Sequence, residues 1–310
     1  MKKVNLSGLN VSEICLGAMN FGTAVDEKNS FAVLDAFVAE GGNFIDTSNN
    51  YAHWAGTGDE SELTLGKWLK TRGGRDKLVI ATKVGFDRHG EGQGLKKSQI
   101  EYWIDESLKK LNTDYVDVYY AHTDDPLTSL EETMSAFDSL VKKGKVRVLG
   151  GSNYDLWRFM DANAIAKDKG FTPFAVMQQR YTYLHAKGDS VPKYKFNEFT
   201  SRERLRFLAD RSMPLVAYSC LAKGGYVDPA RFPEECILGR RYETLVSVAA
   251  RKGVPVCRLV VAWLINLYRM ADYPVVIPLF SSSKPEHLAD NLKGCDISLT
   301  DEEMSELTNA

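Results

Sequence analysis

The chain has 310 residues, 44% of them hydrophobic, and a formal net charge of -2. That is enough apolar content for a large core, as two ordinary domains or one α/β barrel, while so even a charge balance argues against nucleic acid as a partner. Five scattered cysteines without a CxxC pair argue against a disulfide framework or a zinc site, and no apolar run nears the roughly 18 residues that span a bilayer, so the reading is a cytoplasmic protein with no membrane and no metal.

In chain order, residues 3 to 14 read as a hairpin turning at Gly8-Leu9-Asn10. A first strand begins at Ile14 and runs into Gly17; a helix follows over Asn29 to Glu40, stopped by Gly41-Gly42. Phe44-Ile45 is a second short strand ending in Asp46, after which a Thr-Ser-Asn-Asn turn delivers Tyr51. Next come a helix over Glu60 to Lys70, the strand Leu78 to Lys83, and a helix capped by Ser98 and running through Lys110. The cycle repeats with strand Val116 to Ala121 before His122, a helix over 128 to 142, strand Val146 to Gly150 before Ser152-Asn153, and a helix over 155 to 168. Strand Phe174 to Met177, helix 198 to 211, strand Pro214 to Tyr218, helices 242 to 252 and 256 to 269, and strand Val275 to Ile277 ended by Pro278 complete it.

Eight short strands alternating with helices imply parallel right-handed crossovers, and eight such units predict a closed (β/α)8 TIM barrel with a short N-terminal β-hairpin, one domain over 1–310. The open doubly wound sheet would carry a GxGxxG turn after its first strand, and none follows Gly17.

In a barrel, chemistry collects at the carboxyl ends of the strands. Asp46 and Tyr51 follow the second strand, Lys83 ends the third and His122 the fourth. A phenol is a poor acid–base group at neutral pH, but an adjacent ammonium lowers its pKa, and Asp46 is the partner that a buried Lys83 needs. With His122 sharing a proton with the same oxygen, the four make a site that protonates a carbonyl oxygen while its carbon is attacked. Each residue has a plainer use as turn cap, loop aromatic or structural histidine, and it is their joint placement on three successive strands that favours chemistry.

FIDTSNNYA, VIATKVG, DVYYAHTDDP, LGGSNY, MQQRYTYL, VAYSCLAKG and SSSKPEHLADNL, in that order, resemble the aldo-keto reductase superfamily over nearly the whole chain. The resemblance implies a nicotinamide cofactor bound without a Rossmann fold, NADP(H) favoured over NAD(H), and a small-molecule carbonyl substrate. It makes Tyr51 the general acid, supported by Asp46, Lys83 and His122. Ser152, Asn153 and Gln178 would bond the carboxamide, Tyr181 would stack on the nicotinamide, and Gly17 and Met19 would line the same end. Ser219, Leu221 and Gly224 would follow the pyrophosphate, and Ser283, Lys284, His287 and Asn291 the adenosine end. Cys220 stands where many relatives have proline, His287 where Arg or Gln is commoner, and the segment from Pro278 to Pro285 is longer than the usual version.

His53, Trp54 and Phe86 are the candidate substrate-binding residues, as apolar walls suit a small-molecule pocket. Residues 85 to 94, rich in glycine, read as a rim, and Asp189 to Lys195 as lining of the sixth loop. Two other functions share this barrel: a Schiff-base aldolase using Lys83, and an NADP(H)-binding sensor or channel-associated subunit whose turnover is incidental.

Overall fold

A computed structural model describes residues 1–87, 94–187 and 198–310; the expected rim at 85 to 94 lies largely, and Asp189 to Lys195 wholly, outside them. The hairpin is present as β1 (Lys3–Leu6) and β2 (Leu9–Ser12), but it turns at Ser7-Gly8, with Leu6 opposite Leu9. Both turn residues have positive φ, the left-handed pair that a two-residue hairpin turn requires, so the turn lies earlier than the expected Gly8-Leu9-Asn10.

Eight parallel strands close the barrel: β3 (Cys15–Gly17), β4 (Phe44–Asp46), β5 (Val79–Val84), β6 (Val116–Ala121), β7 (Val146–Ser152), β8 (Phe174–Arg180), β9 (Leu215–Tyr218) and β10 (Val276–Phe280). Each pairs with the next, and β10 returns to β3. Between them lie α1 (Glu27–Ala39), α2 (Glu60–Arg72), α3 (Lys97–Leu111), α4 (Leu130–Lys142), α5 (Leu156–Lys169) and α6 (Arg202–Asp210). The β9–β10 connection carries two helices, α7 (Gly239–Lys252) and α8 (Val256–Asn266), and α9 (Pro285–Leu292) and α10 (Asp301–Asn309) follow β10. Among the described residues no helix is long and apolar enough to cross a membrane.

Several boundaries differ from expectation. Ser98 lies inside α3, which Lys96 precedes as N-cap, and α6 is shorter than 198 to 211 because Ser201 caps it, accepting from Arg204 N at 3.1 Å. Strand β10 does not stop at Pro278. There the ladder changes partner, from β9 (Pro278 opposite Ala217) to β3 (Leu279 opposite Cys15), so the missing N–H interrupts no continuous pairing.

The period of two decides what faces inward. Cys15, Phe44, Val79, Ala81, Val118, Tyr120, Val148, Val176, Val216 and Ile277 form one buried cluster inside the barrel, and Leu6 and Val11 of the hairpin join it. The alternate positions, Leu16, Ile45, Ile80, Tyr119, Leu149 and Met177, pack in the other cluster with the helices. Counting on by twos from the inner set gives Asp46, Lys83, His122, Ser152, Gln178 and Tyr218, so one alternation builds both the barrel's core and the side chains at its mouth.

Candidate active site

Asp46 ends β4 and Lys83 lies one residue before the end of β5; both are fully buried. Between Asp46 and Tyr51 the Thr47-Ser48-Asn49-Asn50 turn is itself buried, pinned by the 2.6 Å contact of Thr47 Oγ1 with Ser61 Oγ on α2. That turn brings Tyr51 back over the strand ends. Lys83 Nζ donates to the Asp46 carboxylate, to Thr47 O at 2.7 Å and to Tyr51 OH at 2.8 Å, using all three ammonium protons. The phenol in turn donates to Asp46 Oδ1 at 3.1 Å, and Gln178 Nε2 donates to Asp46 Oδ2 at 2.9 Å. One carboxylate therefore gathers lysine, tyrosine and glutamine from three elements.

His122 follows β6 immediately. Its ring meets Tyr51 edge-on at 5.8 Å and Phe86 at 4.4 Å between centroids, and Ser48 Oγ lies 3.2 Å from its Nδ1. Burial, and then the Lys83 charge, hold His122 well below the ordinary imidazole range, so the ring is neutral at neutral pH. Tyr51 departs from the expectation of a lowered pKa. Burial and the Asp46 carboxylate push the phenol well above its ordinary value, because the charge nearest the proton is the negative one that accepts it. Lys83 is lowered by burial, against which Asp46 acts. The arrangement holds a proton on Tyr51 and an ammonium behind its oxygen.

The residues expected to hold a cofactor ring the same mouth. Gly17 sits opposite Asp46 in the β3–β4 register, and Met19, just beyond β3, is 38% exposed. Ser152 ends β7, and Asn153 follows in a left-handed conformation with φ 56°. The Asn153 amide donates to His122 O at 2.8 Å and Ser152 Oγ at 3.0 Å and accepts from Tyr218 OH at 2.7 Å, while Gln179 Oε1 accepts its backbone N–H at 3.1 Å. Asn153 thus ties together four strand ends. Tyr181 is 8% exposed and turns its ring to Trp263 at 6.0 Å. Ser219, Leu221 and Gly224 lie on the loop after β9, where Ser219, Ala222, Lys223 and Gly224 all have positive φ. Ser283 and Lys284 are exposed after β10, Lys284 is the N-cap of α9, and His287 and Asn291 lie on that helix.

These residues fit a dinucleotide. Amides and hydroxyls sit beside the tetrad, and an exposed hydroxyl and cation stand where the first-turn amides of α9 favour an anion. Of the substrate candidates, Phe86 touches His122, and Trp54 is 63% exposed, stacked edge-on against His53 at 5.2 Å. His53 Nδ1 lies 3.0 Å from Asn50 O, which keeps that ring on its own turn. Sequence reasoning passed over Ser48, Gln179 and Tyr218. The inward alternation of β9 points to Tyr218, whereas Ser48 and Gln179 gain meaning only through partners on other strands.

The aldo/keto reductase family profile matches residues 13–310. Norsolorinic acid reductase B of Aspergillus parasiticus is 34% identical over 336 residues, covering 98% of this chain and 82% of its own length. Norsolorinic acid reductase stcV of Emericella nidulans is 32% identical over 326 residues (97% and 79%). An aryl-alcohol dehydrogenase of Pestalotiopsis microspora is 30% identical over 325 residues (97% and 79%).

Proposed function

The chain belongs to the aldo/keto reductase family, oxidoreductases that act on carbonyl groups with a nicotinamide cofactor, and we propose that it reduces an aromatic aldehyde or ketone reversibly, with Tyr51 as general acid. The observation that carries the reading is the Asp46–Lys83–Tyr51 network, in which a protonated phenol accepts a hydrogen bond from a buried ammonium.

A nicotinamide, when bound, would supply hydride for the carbonyl carbon. Tyr51 turns its hydroxyl from Asp46 to the substrate oxygen and gives up the proton as charge develops there. The phenolate left behind is stabilised by Lys83, which Asp46 and Thr47 O hold in place. Ser48 gives its one hydroxyl proton to Asn50 Oδ1 at 2.9 Å, so a neutral His122 donates its Nδ1–H to Ser48 Oγ and leaves Nε2 as an acceptor, suited to take a hydrogen bond from the alcohol that forms. Buried and with its three protons committed, Lys83 is badly placed to attack a carbonyl, which weighs against the aldolase alternative.

Ser152 and Gln178 hold the nicotinamide end, and Ser283 and Lys284 at the head of α9 favour NADP(H), since a hydroxyl and a cation suit a 2′-phosphate. Trp54, Phe86 and Met19 offer apolar surface at the mouth. With relatives named for norsolorinic acid and for aryl alcohols, that surface supports an aromatic substrate.

Tyr51→Phe tests the assignment. Turnover across a panel of aromatic carbonyls, followed at the nicotinamide absorbance, falls by about 100-fold or more, the usual contribution of a positioned general acid. NADPH quenching of intrinsic fluorescence stays within about twofold of the parent, as the phenol is not a cofactor anchor. Unchanged turnover would remove Tyr51 from the mechanism, and cofactor quenching with no turnover of any substrate by the parent protein would favour a sensor.

A further inference from the structure

Outside the barrel wall, directly behind Lys83, lies a second buried acid. Glu62 is on α2 and fully buried, and Thr82, the outward-facing neighbour of Lys83 in β5, donates to its Oε1 at 2.6 Å. Lys110, near the end of α3, approaches Oε2 at 3.9 Å and pairs more closely with Asp59. The acid is pressed there by an unusually close helix contact. A Cβ on Gly66, one turn beyond Glu62, would stand 1.9 Å from Lys110 O, so α2 and α3 touch backbone to backbone. A buried carboxylate is costly to keep, and one held by a single good hydroxyl and a lysine 3.9 Å away is poorly compensated if its only task is to join helix to strand.

We propose that Glu62 is a positioning residue for the active site: through Thr82 it holds the outer face of β5, and it sets a second buried negative charge behind Lys83. The inward alternation that sends Lys83 to the mouth sends Thr82 to the helix layer, so one strand carries both contacts on consecutive residues. The groups around Glu62 are Asp59 at the N-cap of its own helix, Ser107 and Lys110 on α3, Thr82 on β5 and Tyr119 on β6, with Lys83 on the opposite face of β5. Burial raises its carboxyl above the ordinary range, while the Thr82 hydroxyl, Lys110 and Ser107 oppose that. Its field acts on Lys83 in the same sense as that of Asp46, favouring the charged ammonium.

The sign of the effect follows. Removing a negative charge behind Lys83 makes proton loss from the Lys83–Tyr51 pair easier, so the alkaline limb of carbonyl reduction moves to lower pH. This rests on the reading of Tyr51 as general acid and Lys83 as its support, and the closing experiment separates the two.

The pH profile of kcat/KM is measured for the parent, Glu62→Gln, Glu62→Asp and Tyr51→Phe. Gln has the shape of Glu and still accepts from Thr82, so Glu62→Gln removes charge with little change in packing. Its alkaline limb moves down by about one unit, the order expected for a unit charge deleted roughly 10 to 15 Å away at an effective dielectric near 20. Glu62→Asp, which keeps the charge, returns the limb to within a few tenths of a unit of the parent's position. A Glu62→Gln limb that coincides with the parent's, or an Asp variant displaced as far as the Gln variant, overturns the role of Glu62. Full activity of Tyr51→Phe overturns the underlying reading instead.

Discussion

His122 shows how one buried side chain links site chemistry to stability. Its folded-state pKa lies below the value of about 6.5 that the unfolded chain has, chiefly through burial. Between those two values the unfolded chain binds a proton that the native state does not, so native stability falls as pH drops below about 6.5 and is intact above it. Each unit of depression is worth about 1.4 kcal/mol once the pH is below both values. His122→Asn keeps a polar group and removes the titration. From pH 7.5 to 5 the parent's Tm is expected to fall more steeply than the variant's; identical slopes would mean that His122 is protonated in the native state at little cost. That Asp46, Lys83 and His122 meet was legible in the sequence because they lie at strand ends, which are read from local apolar runs, and Tyr51 because a short turn returns it there. The direction of the Tyr51 shift was not legible: it depends first on the burial of the phenol and then on Asp46 Oδ1, not only Lys83 Nζ, lying within hydrogen-bond reach of it.

At the scale of elements, α2 and α3 meet backbone to backbone beside the site. Gly66 lets them approach this far, and Ala there brings a Cβ to 1.9 Å from the Lys110 carbonyl oxygen, a backbone atom that cannot swing aside. Helix propensity alone would favour Ala over Gly by about 1 kcal/mol, but steric overlap decides the sign. Gly66→Ala is expected to cost about 3 kcal/mol or more, read as a lower urea midpoint at unchanged slope; a midpoint equal to or above the parent's would show that the helices part freely. Elements whose ends are set by local chemistry were the most readable. All eight barrel strands follow from apolar runs, and the helix of residues 155 to 168 is found at Leu156–Lys169. Errors collected where a partner strand decides the boundary. Gln178, Gln179 and Arg180 look polar but belong to β8, because β9 pairs with them, and Pro278 looks like a stop but is the residue where β10 changes neighbour.

The whole molecule is closed twice, once by the strand pairing of β10 with β3 and β9, and again by α10, which lies over α7 and α8. The second closure turns on Arg241, a buried cation whose hydrogen-bond partners among the described residues are main-chain oxygens of Tyr183, Thr308 and Ala310. Its Nε donates to Tyr183 O at 2.6 Å and its Nη1 to Thr308 O at 3.1 Å, while its guanidinium lies 4.2 Å from the Tyr183 ring centroid. Tyr183 OH donates to Leu307 O at 3.0 Å and Trp263 Nε1 to Thr308 Oγ1 at 3.0 Å, so the loop after β8, helix α8 and the last turn of α10 share one network. Trp263 also packs against Tyr181 beside the mouth, which places this network directly behind that side of the mouth. Arg241→Met keeps much of the apolar stem and removes the donors, stranding carbonyls that burial denies to water. Hydrogen bonds from a charged donor contribute about 1.5–3 kcal/mol each, so a loss of about 3 kcal/mol in global stability is expected. Hydrogen exchange locates the damage: amides of α10 lose protection well before those of β5 and β6. Uniform loss of protection across the barrel would instead make α10 part of a single cooperative unit, and unchanged protection would show that Arg241 carries no share of the closure.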